Sequence, residues 1–350
     1  MKIIDVVPSM VQALDINRNE LILVQLWGEN RDKIMLDRFS IEIAKVGGIP
    51  FQMQYSREFL KEYFSTVSAY NLDFPPRYFE IFKPFTTIVD IMTYPPTPPD
   101  DFPKDKLPQY TMYMEQLFKT LGQTRTVQIK LPTPENAQAV GVEFKLFEEV
   151  IVNALNIDYQ KLKHNCNVLL RLFKSAQTIT IHTDYDRKLS FGIQGRRWIV
   201  DDCTTDMPGG EIYIAPVEES VYGEILIPEI KVETRIFNDV IMRFDRGKLV
   251  ESSCPELMNY LESIPGGSDI FAEFGIGLNQ GITEKLNYFP IDKKTFGLTH
   301  VSLGNNQKSG GIVTSSSRMD FLFTPFMMEV DREIIMEFGE FDQDLGLEIF

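Results

Sequence analysis

In the first half of the chain, apolar runs typical of buried strands alternate with segments whose apolar residues have helical spacing. Residues 20–27 are a largely apolar run typical of a buried strand, and residues 31–46 place apolar side chains at helical spacing before the glycine stop at Gly47. Residues 50–54 predict the next strand. A strand, a helix and a second strand form a βαβ unit, so the pattern predicts a parallel sheet.

Further along, the pattern changes. Residues 86–92 and 125–131 predict two more strands, and residues 144–155 and 159–175 predict two amphipathic helices. From Gln177 onward, short β-rich runs are separated by turns. The strands predicted in this half are 178–182, 188–193, 211–214, 223–227, 240–244 and 249–251, the last two joined as a hairpin. The sequence therefore predicts an α/β amino-terminal domain with a mostly parallel sheet, residues 1–185, and a β-rich α+β carboxy-terminal domain, residues 186–350.

Composition narrows the class of protein. The net charge of −15 argues against a surface that follows nucleic-acid phosphates. No apolar run approaches the roughly 20 residues of a spanning helix, and the first residues lack the features of a signal peptide, so we expect a soluble cytoplasmic protein. The chain has only three cysteines, in no metal-binding spacing, and only three histidines. Scarce histidine is the main constraint on any metal site.

Four segments of the second half combine carboxylates or imidazole with glycine and proline: 207–216, 272–279, 292–304 and 310–320. Such a combination is typical of sites on loops and strand ends. Each acid or histidine has apolar neighbours, and burying an unpaired charge costs several kcal/mol, so each needs a cation or a hydrogen-bond network. Taken singly, a glutamate at the start of a strand or the lone His300 also fits a purely structural role.

Taken together and in order, the four segments resemble the aminopeptidase T family, the thermophilic leucyl-aminopeptidase-like metallopeptidases. The resemblance covers nearly the whole chain and includes Val46-Gly47-Gly48-Ile49-Pro50 and the stretch 208–216. It implies a cytoplasmic protein with an α/β and a β-rich domain that forms dimers around an internal chamber. It also implies removal of amino-terminal residues with two divalent metal ions.

Carried over position by position, the resemblance implies four metal ligands. Glu211 looks like the first metal-binding glutamate, and Glu273, in Ala-Glu-Phe-Gly-Ile-Gly-Leu-Asn, looks like the glutamate that bridges the two metals. His300, in Gly-Leu-Thr-His-Val-Ser-Leu-Gly, matches the metal histidine, and Asp320 matches the aspartate that completes the site.

Three departures from the family pattern lie beside these ligands. Arg318 stands where the family's last motif has a histidine, Gln307 stands where it has a tyrosine, and Lys293 replaces an acidic residue. An arginine has no lone pair to donate to a metal, but its guanidinium can pair with a carboxylate as a two-pronged fork. We therefore expect Arg318 to pair with Glu211 or Glu273 and at least one metal site to be lost.

These residues support three functional hypotheses. The first is a divergent metal-dependent aminopeptidase-like hydrolase acting on amino-terminal residues of peptides or aminoacyl amides. It would retain at most one zinc, cobalt, manganese or iron ion, with Glu211, Glu273 and Arg318 as candidate catalytic residues. The second is a one-metal tailoring enzyme or oxygenase on the same fold, although a facial triad needs two histidines and only one is near. The third is a catalytically inactive, metal-free dimeric binding protein. We also expect a homodimer and, as the ligand, a peptide or an amino-acid-derived small molecule.

The proline-rich stretch 94–103 is too rich in proline for a helix or an internal strand. We interpret it as an ordered surface loop, with a polyproline ligand for a partner as the alternative.

Overall fold

The computed structural model describes residues 2–122 and 124–349. Contacts divide the chain into two compact units: unit 1 comprises Met1–Asn156 and Cys203–Gly209, and unit 2 comprises Ile157–Asp202 and Gly210–Phe350. The domain boundary that the sequence favours, between residues 185 and 186, falls inside unit 2.

The regular elements are numbered in chain order. The helices are α1 Ile3–Ala13, α2 Lys33–Lys45, α3 Arg57–Thr66, α4 Pro76–Phe79, α5 Leu107–Leu121, α6 Pro134–Val140, α7 Phe144–Leu155, α8 Tyr159–Ser175, α9 Pro255–Glu262 and α10 Phe289–Asp292. The strands are β1 Leu21–Trp27, β2 Ile49–Tyr55, β3 Thr87–Met92, β4 Arg125–Lys130, β5 Thr178–His182, β6 Lys188–Gly192, β7 Ile199–Asp201, β8 Asp206–Met207, β9 Glu211–Ile214, β10 Tyr222–Val232, β11 Arg235–Asp245, β12 Lys248–Ser252, β13 Phe271–Gly277, β14 Thr299–Gly304, β15 Arg318–Phe323, β16 Met327–Val330, β17 Glu333–Glu337 and β18 Glu340–Phe341.

Unit 1 is built on a five-stranded parallel sheet in the order β2-β1-β3-β4-β8. Strand β1 is buried at every position from Ile22 to Trp27, as expected for a central parallel strand covered on both faces. The core beside it is unusually aromatic and includes Trp27, Tyr55, Phe64, Tyr110 and Tyr113. Helix α5, which the sequence analysis did not predict, contributes two of these rings to the core.

Unit 2 contains two antiparallel sheets. One has eight strands in the order β12-β11-β10-β6-β5-β16-β17-β18, and the other has five in the order β15-β14-β13-β9-β7. In the five-stranded sheet, the neighbouring strands β13 and β14 are buried at every position. The α/β amino-terminal part and the β-rich carboxy-terminal part predicted from the sequence are therefore confirmed.

Most of the predicted elements agree with the structure to within a few residues. Helices α7 and α8 and strands β5 and β9 have the predicted bounds. Strands β10 and β11 are longer than predicted, with 11 residues each, and the predicted hairpin joins β11 to β12. Toward its end, β10 alternates buried and exposed residues, with Ile230 and Val232 buried on either side of the exposed Lys231.

The proline-rich stretch 94–103 contains no helix or strand. The Arg57 guanidinium lies over the Tyr94 ring, 3.9 Å from its centroid, and donates hydrogen bonds to the carbonyl oxygens of Pro95 (3.2 Å) and Thr97 (3.1 Å). These contacts hold the loop against helix α3 as ordered structure. Among the described residues, no helix is both long and apolar enough to cross a membrane.

Candidate functional site

The five candidate side chains lie on neighbouring strands of the five-stranded sheet in unit 2. Glu211 begins β9, Glu273 lies in β13, His300 lies in β14, and Arg318 and Asp320 lie in β15. The sequence pattern favours loops and strand ends for these segments. Glu211 and Arg318 do lie at strand starts, whereas Glu273, His300 and Asp320 lie within strands. Gly275 and Gly277 of β13 make room for close neighbours, whereas Gly297 and Gly310 lie in turns.

Strand register places these residues on one face of the sheet. Ser302 of β14 is paired with Glu273 on one side and with Asp320 on the other, and Gly275 is paired with His300. Alternate residues of a strand point to the same face, so Glu273, His300 and Asp320 share a face. The sequence expectation that these three residues converge therefore has a structural basis in strand pairing.

Glu273 is the centre of a dense polar cluster. Arg318 reaches it as a fork, with Nη2 2.6 Å from Oε1 and Nη1 3.3 Å from Oε2. The Ser309 hydroxyl donates a hydrogen bond to Oε2, and Nε2 of His300 lies 3.2 Å from Oε1. Both carboxylate oxygens of a residue that is only 2% exposed are thus engaged by side chains.

Arg318 also joins Glu273 to Asp320. Its Nε donates to Oδ1 of Asp320 at 2.8 Å, and its Nη2 donates to the Ser302 hydroxyl oxygen at 2.9 Å. The Ser302 hydroxyl in turn donates to Oδ1 of Asp320 at 2.5 Å. One guanidinium therefore balances two carboxylates, as the fork geometry of arginine permits.

His300 is fully buried and depends on a glycine neighbour. A Cβ atom on Gly275 would lie 2.1 Å from Cε1 of the His300 ring, so only glycine is compatible with this ring position. The Phe289 and His300 rings pack edge to face, with centroids 5.5 Å apart. Nδ1 of His300 is buried and has no hydrogen-bond partner among the described residues.

The charges of this cluster favour an ionised Glu273. Burial raises its pKa, but the His300 hydrogen bond and the Arg318 charge outweigh burial and lower the pKa to about 2. Burial also disfavours the charged form of Arg318 and so lowers the pKa of its guanidinium. The charges of Glu273 and Asp320 outweigh burial, and the pKa is raised. The pair is therefore a carboxylate and a guanidinium across the ordinary pH range.

Glu211 forms a second pair on the same sheet. It lies opposite Gly277 of β13, and its Oε1 is 2.5 Å from Nζ of Lys293. The Glu211 side chain is 3% exposed and that of Lys293 is 19% exposed. The other oxygen of Glu211, Oε2, is buried without a hydrogen-bond partner among the described residues. Only one carboxylate oxygen of Glu211 therefore has a partner, whereas both oxygens of Glu273 do.

Tyr213 lies between the two pairs on the strand that carries Glu211. It is paired with Gly275 of β13, and Gly275 is paired with His300 of β14 on its other side. Burial, followed by the charges of Glu211 and Glu273, raises the pKa of Tyr213 to about 12. Tyr213 is therefore a neutral phenol that can donate a hydrogen bond near both glutamates.

The residues on this face do not fit the two divalent ions that the family resemblance implies. Both oxygens of Glu273 are taken by Arg318, Ser309 and His300, and one oxygen of Glu211 is taken by Lys293. Within residues 2–122 and 124–349, no group of three or more His, Cys, Asp and Glu side chains has a geometry that could hold a metal ion. Oε2 of Glu211 and Nδ1 of His300 are buried donor atoms without a hydrogen-bond partner among the described residues. The set Glu211, Glu273, His300 and Asp320 stays a prediction as a ligand set.

Sequence reasoning did not find every member of this face. Ser309 and Ser302 were not candidates, because no spacing rule points from a serine in a loop to a glutamate in a distant strand. Lys293 was recognised as a replaced acid but was not expected to pair with Glu211. Gln307, where the resemblance implies a tyrosine, is exposed in a 3-10 turn, Gln307–Ser309.

Comparison with solved structures shows the fold. Wild-type AmpT, an aminopeptidase T from Thermus thermophilus, matches with a TM-score of 0.63 and 13% sequence identity, covering 96% of this chain and 99% of that chain. The 2,5-dihydroxypyridine dioxygenase from Pseudomonas putida KT2440 matches with a TM-score of 0.62 and 11% identity, covering 97% and 96%. No protein-family model and no curated protein sequence matches the chain. The chain thus shares one fold with proteins named for two different reactions.

Proposed function

We propose that this chain is a metal-independent binding protein on the aminopeptidase-like fold, with a peptide or an amino-acid-derived small molecule as its ligand. One observation carries the proposal: each of the two buried glutamates already pairs with a basic side chain. Nζ of Lys293 is 2.5 Å from Glu211, and Nη2 of Arg318 is 2.6 Å from Glu273. A metal ion supplies positive charge together with an open position for water or substrate. Lysine and arginine supply the charge without that open position.

The partly exposed groups of this face support an amino-acid-derived ligand. Lys293 has three N–H donors, and its contact with Glu211 uses one of them. The side chains of Arg318 and Asp320 are 29% and 20% exposed. A ligand carbonyl or carboxylate can accept a hydrogen bond from Lys293, and a ligand amino group can donate to Asp320. Peptides and amino acids carry both kinds of group.

A one-metal aminopeptidase-like hydrolase is the second candidate, and one observation favours it. Oε2 of Glu211 is a buried carboxylate oxygen without a partner among the described residues, and leaving such an acceptor unsatisfied costs about 1–3 kcal/mol. An ion that displaced Lys293 would bind both oxygens of Glu211. An oxygenase has no comparable support, because His300 is the one imidazole found on this face of the described sheet.

Metal titration separates the two candidates. We expect purified protein supplied with zinc, manganese, cobalt or ferrous iron to retain well below one ion per chain after desalting. We also expect no hydrolysis of aminoacyl anilides. In the double variant Arg318→His, Lys293→Asp, both basic side chains are replaced by metal ligands, and metal retention should rise. The matched control is Arg243→His, Lys248→Asp, which alters exposed strands of the same unit. Parent protein that binds one ion and hydrolyses anilides would establish the second candidate and overturn the first.

Ligand binding is tested by calorimetry with short peptides on the full chain. We expect measurable heats with the parent and weaker binding with Lys293→Met, which removes the donors but keeps the aliphatic stem. Absence of binding by all peptides and free amino acids would reject the proposed ligand class. The homodimer is also a prediction, and light scattering coupled to size exclusion tests it.

A further inference from the structure

The parallel sheet of unit 1 ends at strand β2, which has a neighbouring strand on one side. Strand β1 pairs with β2 from Leu21↔Ile49 to Trp27↔Tyr55, and no strand in the described part of the chain pairs with the other side. An open strand edge is a row of backbone donors and acceptors with which a further strand can pair, and many proteins protect such an edge with charged side chains. Residues 49–55 contain no charged side chain.

The hydrogen bonds of β2 decide which backbone groups lie on its open edge. Alternate residues of a strand direct their N–H and C=O groups to opposite sides. Ile49 donates its N–H to the Glu20 carbonyl oxygen at 2.8 Å, and the Tyr55 carbonyl oxygen accepts from the Gly28 N–H at 3.1 Å, so the odd-numbered residues of β2 face β1. The open edge therefore presents the backbone groups of the even-numbered residues, Pro50, Gln52 and Gln54.

The side chains of β2 leave this edge accessible and make it partly apolar. Ile49 and Phe51 are 48% and 53% exposed. The Phe51 ring packs against one neighbouring ring, that of Phe85, with centroids 5.5 Å apart. The Gln52 amide donates a hydrogen bond to Oδ1 of Asp37 at 3.1 Å, so this side chain lies against helix α2. A strand added at the edge would cover the exposed apolar side chains together with the free backbone groups.

A second copy of β2 fits this edge when the two strands run antiparallel. Pairing Gln52 with Gln52 of the second copy places a two-fold axis between them, the commonest symmetry of homodimers. In this register the two Gln52 residues exchange both backbone hydrogen bonds, and Gln54 of each copy donates to the Pro50 carbonyl oxygen of the other. Proline has no N–H, so this outer pair has one hydrogen bond instead of two. Phe51 then lies opposite Met53 of the second copy, and sulfur packs favourably against aromatic rings.

Charge also favours a second copy at this edge. The chain has a net charge of −15, so two copies repel each other at long range. Strand β2 is uncharged, and helix α2 beside it carries three basic and two acidic side chains, Lys33, Arg38, Lys45, Asp37 and Glu42. Two copies can therefore approach each other here with less repulsion than the net charge of the whole chain implies.

We propose that β2 is the interface of a homodimer, in which the β2 strands of two copies pair antiparallel and join their parallel sheets into one. The proposal gives a specific surface to the homodimer predicted with the function above, and it does not depend on the ligand proposed for unit 2. An extended peptide of another protein would use the same backbone groups, but the purified chain would then be a monomer.

Sedimentation velocity on the full chain tests the apolar part of the interface. We expect a dimer for the parent and, for Phe51→Lys, a dimer dissociation constant at least about tenfold higher, because each copy loses a buried ring and gains a charge. The matched control is Phe59→Lys on helix α3, since Phe59 is 61% exposed and also packs against one ring, that of Tyr63. It should leave the dissociation constant unchanged, and both variants should keep the circular dichroism spectrum of the parent. A dimer unaffected by Phe51→Lys would contradict this interface but not the homodimer, whereas a monomeric parent would contradict both.

A disulfide cross-link tests the register. Directly opposed residues that exchange hydrogen bonds have Cα atoms about 5.5 Å apart, a distance that a disulfide can span. Gln52→Cys should therefore give a covalent dimer on a non-reducing gel after mild oxidation. In the control Gln54→Cys, the two cysteines are offset by about 13 Å along the strands and should not cross-link. The parent should not cross-link either, because its native cysteines are buried: Cys166, Cys203 and Cys254. Cross-linking of Gln54→Cys, or its absence in Gln52→Cys, would refute the proposed pairing.

Discussion

Asp90 in unit 1 and Glu273 in unit 2 are both buried carboxyl groups in the interior of a sheet, yet their surroundings have opposite effects. Asp90 accepts hydrogen bonds from the neutral donors Trp27 Nε1 at 2.5 Å and Gln25 Nε2 at 3.3 Å. Burial outweighs these donors and raises the pKa of Asp90 to about 7. Glu273 is buried more completely, but His300 and Arg318 bring its pKa down to about 2.

The difference between the two residues shows what the arginine contributes. Neutral donors do not compensate for loss of hydration around a charge, so Asp90 favours its protonated form at and below neutral pH. A guanidinium in fork contact keeps Glu273 ionised although it is buried. The cation at Glu273 is therefore a requirement of the buried charge, and in this chain a side chain provides it.

Removing that cation should give the largest effect. We expect Arg318→Ala to lower the free energy of unfolding by about 3–5 kcal/mol, because it leaves the Glu273 charge buried without a partner. Urea denaturation at pH 7 measures the change. The control is Arg243→Ala, since Arg243 also pairs with a glutamate, Glu251, at 2.7 Å, but with side chains 46% and 67% exposed. That variant should lose less than about 1 kcal/mol. Equal losses in the two variants would remove the distinction between buried and exposed pairs.

Asp90 should make unit 1 less stable as the pH rises. Its pKa in the folded protein is above the ordinary value of 3.8, so its contribution is complete below pH 3.8 and is lost as the pH rises through about 7. The loss relative to Asp90→Asn is on the order of 4 kcal/mol. Chemical denaturation of both proteins at several pH values between 4 and 8 measures it. Parallel stability curves for the two proteins would show that Asp90 keeps an ordinary pKa.

Glu273 should show the opposite pH dependence with a smaller amplitude. Its pKa falls from 4.5 to about 2 on folding, so its contribution is present above pH 4.5 and is lost as the pH decreases toward 2. The amplitude is about 3 kcal/mol. The acid limb of the stability curve should be shallower in Glu273→Gln than in the parent, while other carboxylates contribute equally to both. If Glu273→Gln leaves the acid limb unchanged, the ion pair does not set the Glu273 pKa.

The candidate site could be predicted from the sequence in part. Arg318 was expected to pair with Glu211 or Glu273, and the structure places it on Glu273, because Arg318 and Glu273 lie on strands separated only by β14. Lys293 follows the short helix α10, and its contact with Glu211 could not be inferred from spacing. Ser309 reaches Glu273 from a loop, where side-chain position depends on the whole chain path.

By itself, the sequence determined the class of the fold and those elements that carry a clear apolar pattern. Apolar runs and helical spacing are local patterns, and local patterns are sufficient to indicate buried strands and amphipathic helices. It also showed a guanidinium, which cannot bind a metal, at the position where the resemblance implies an imidazole. Only the tertiary structure decided which carboxylate each basic side chain neutralises. It also decided which polar atoms, such as Oε2 of Glu211, remain without a partner in the described part of the chain. The physical reason is that ion pairs and cavities form between residues far apart in the chain, where strand register and packing set the distances.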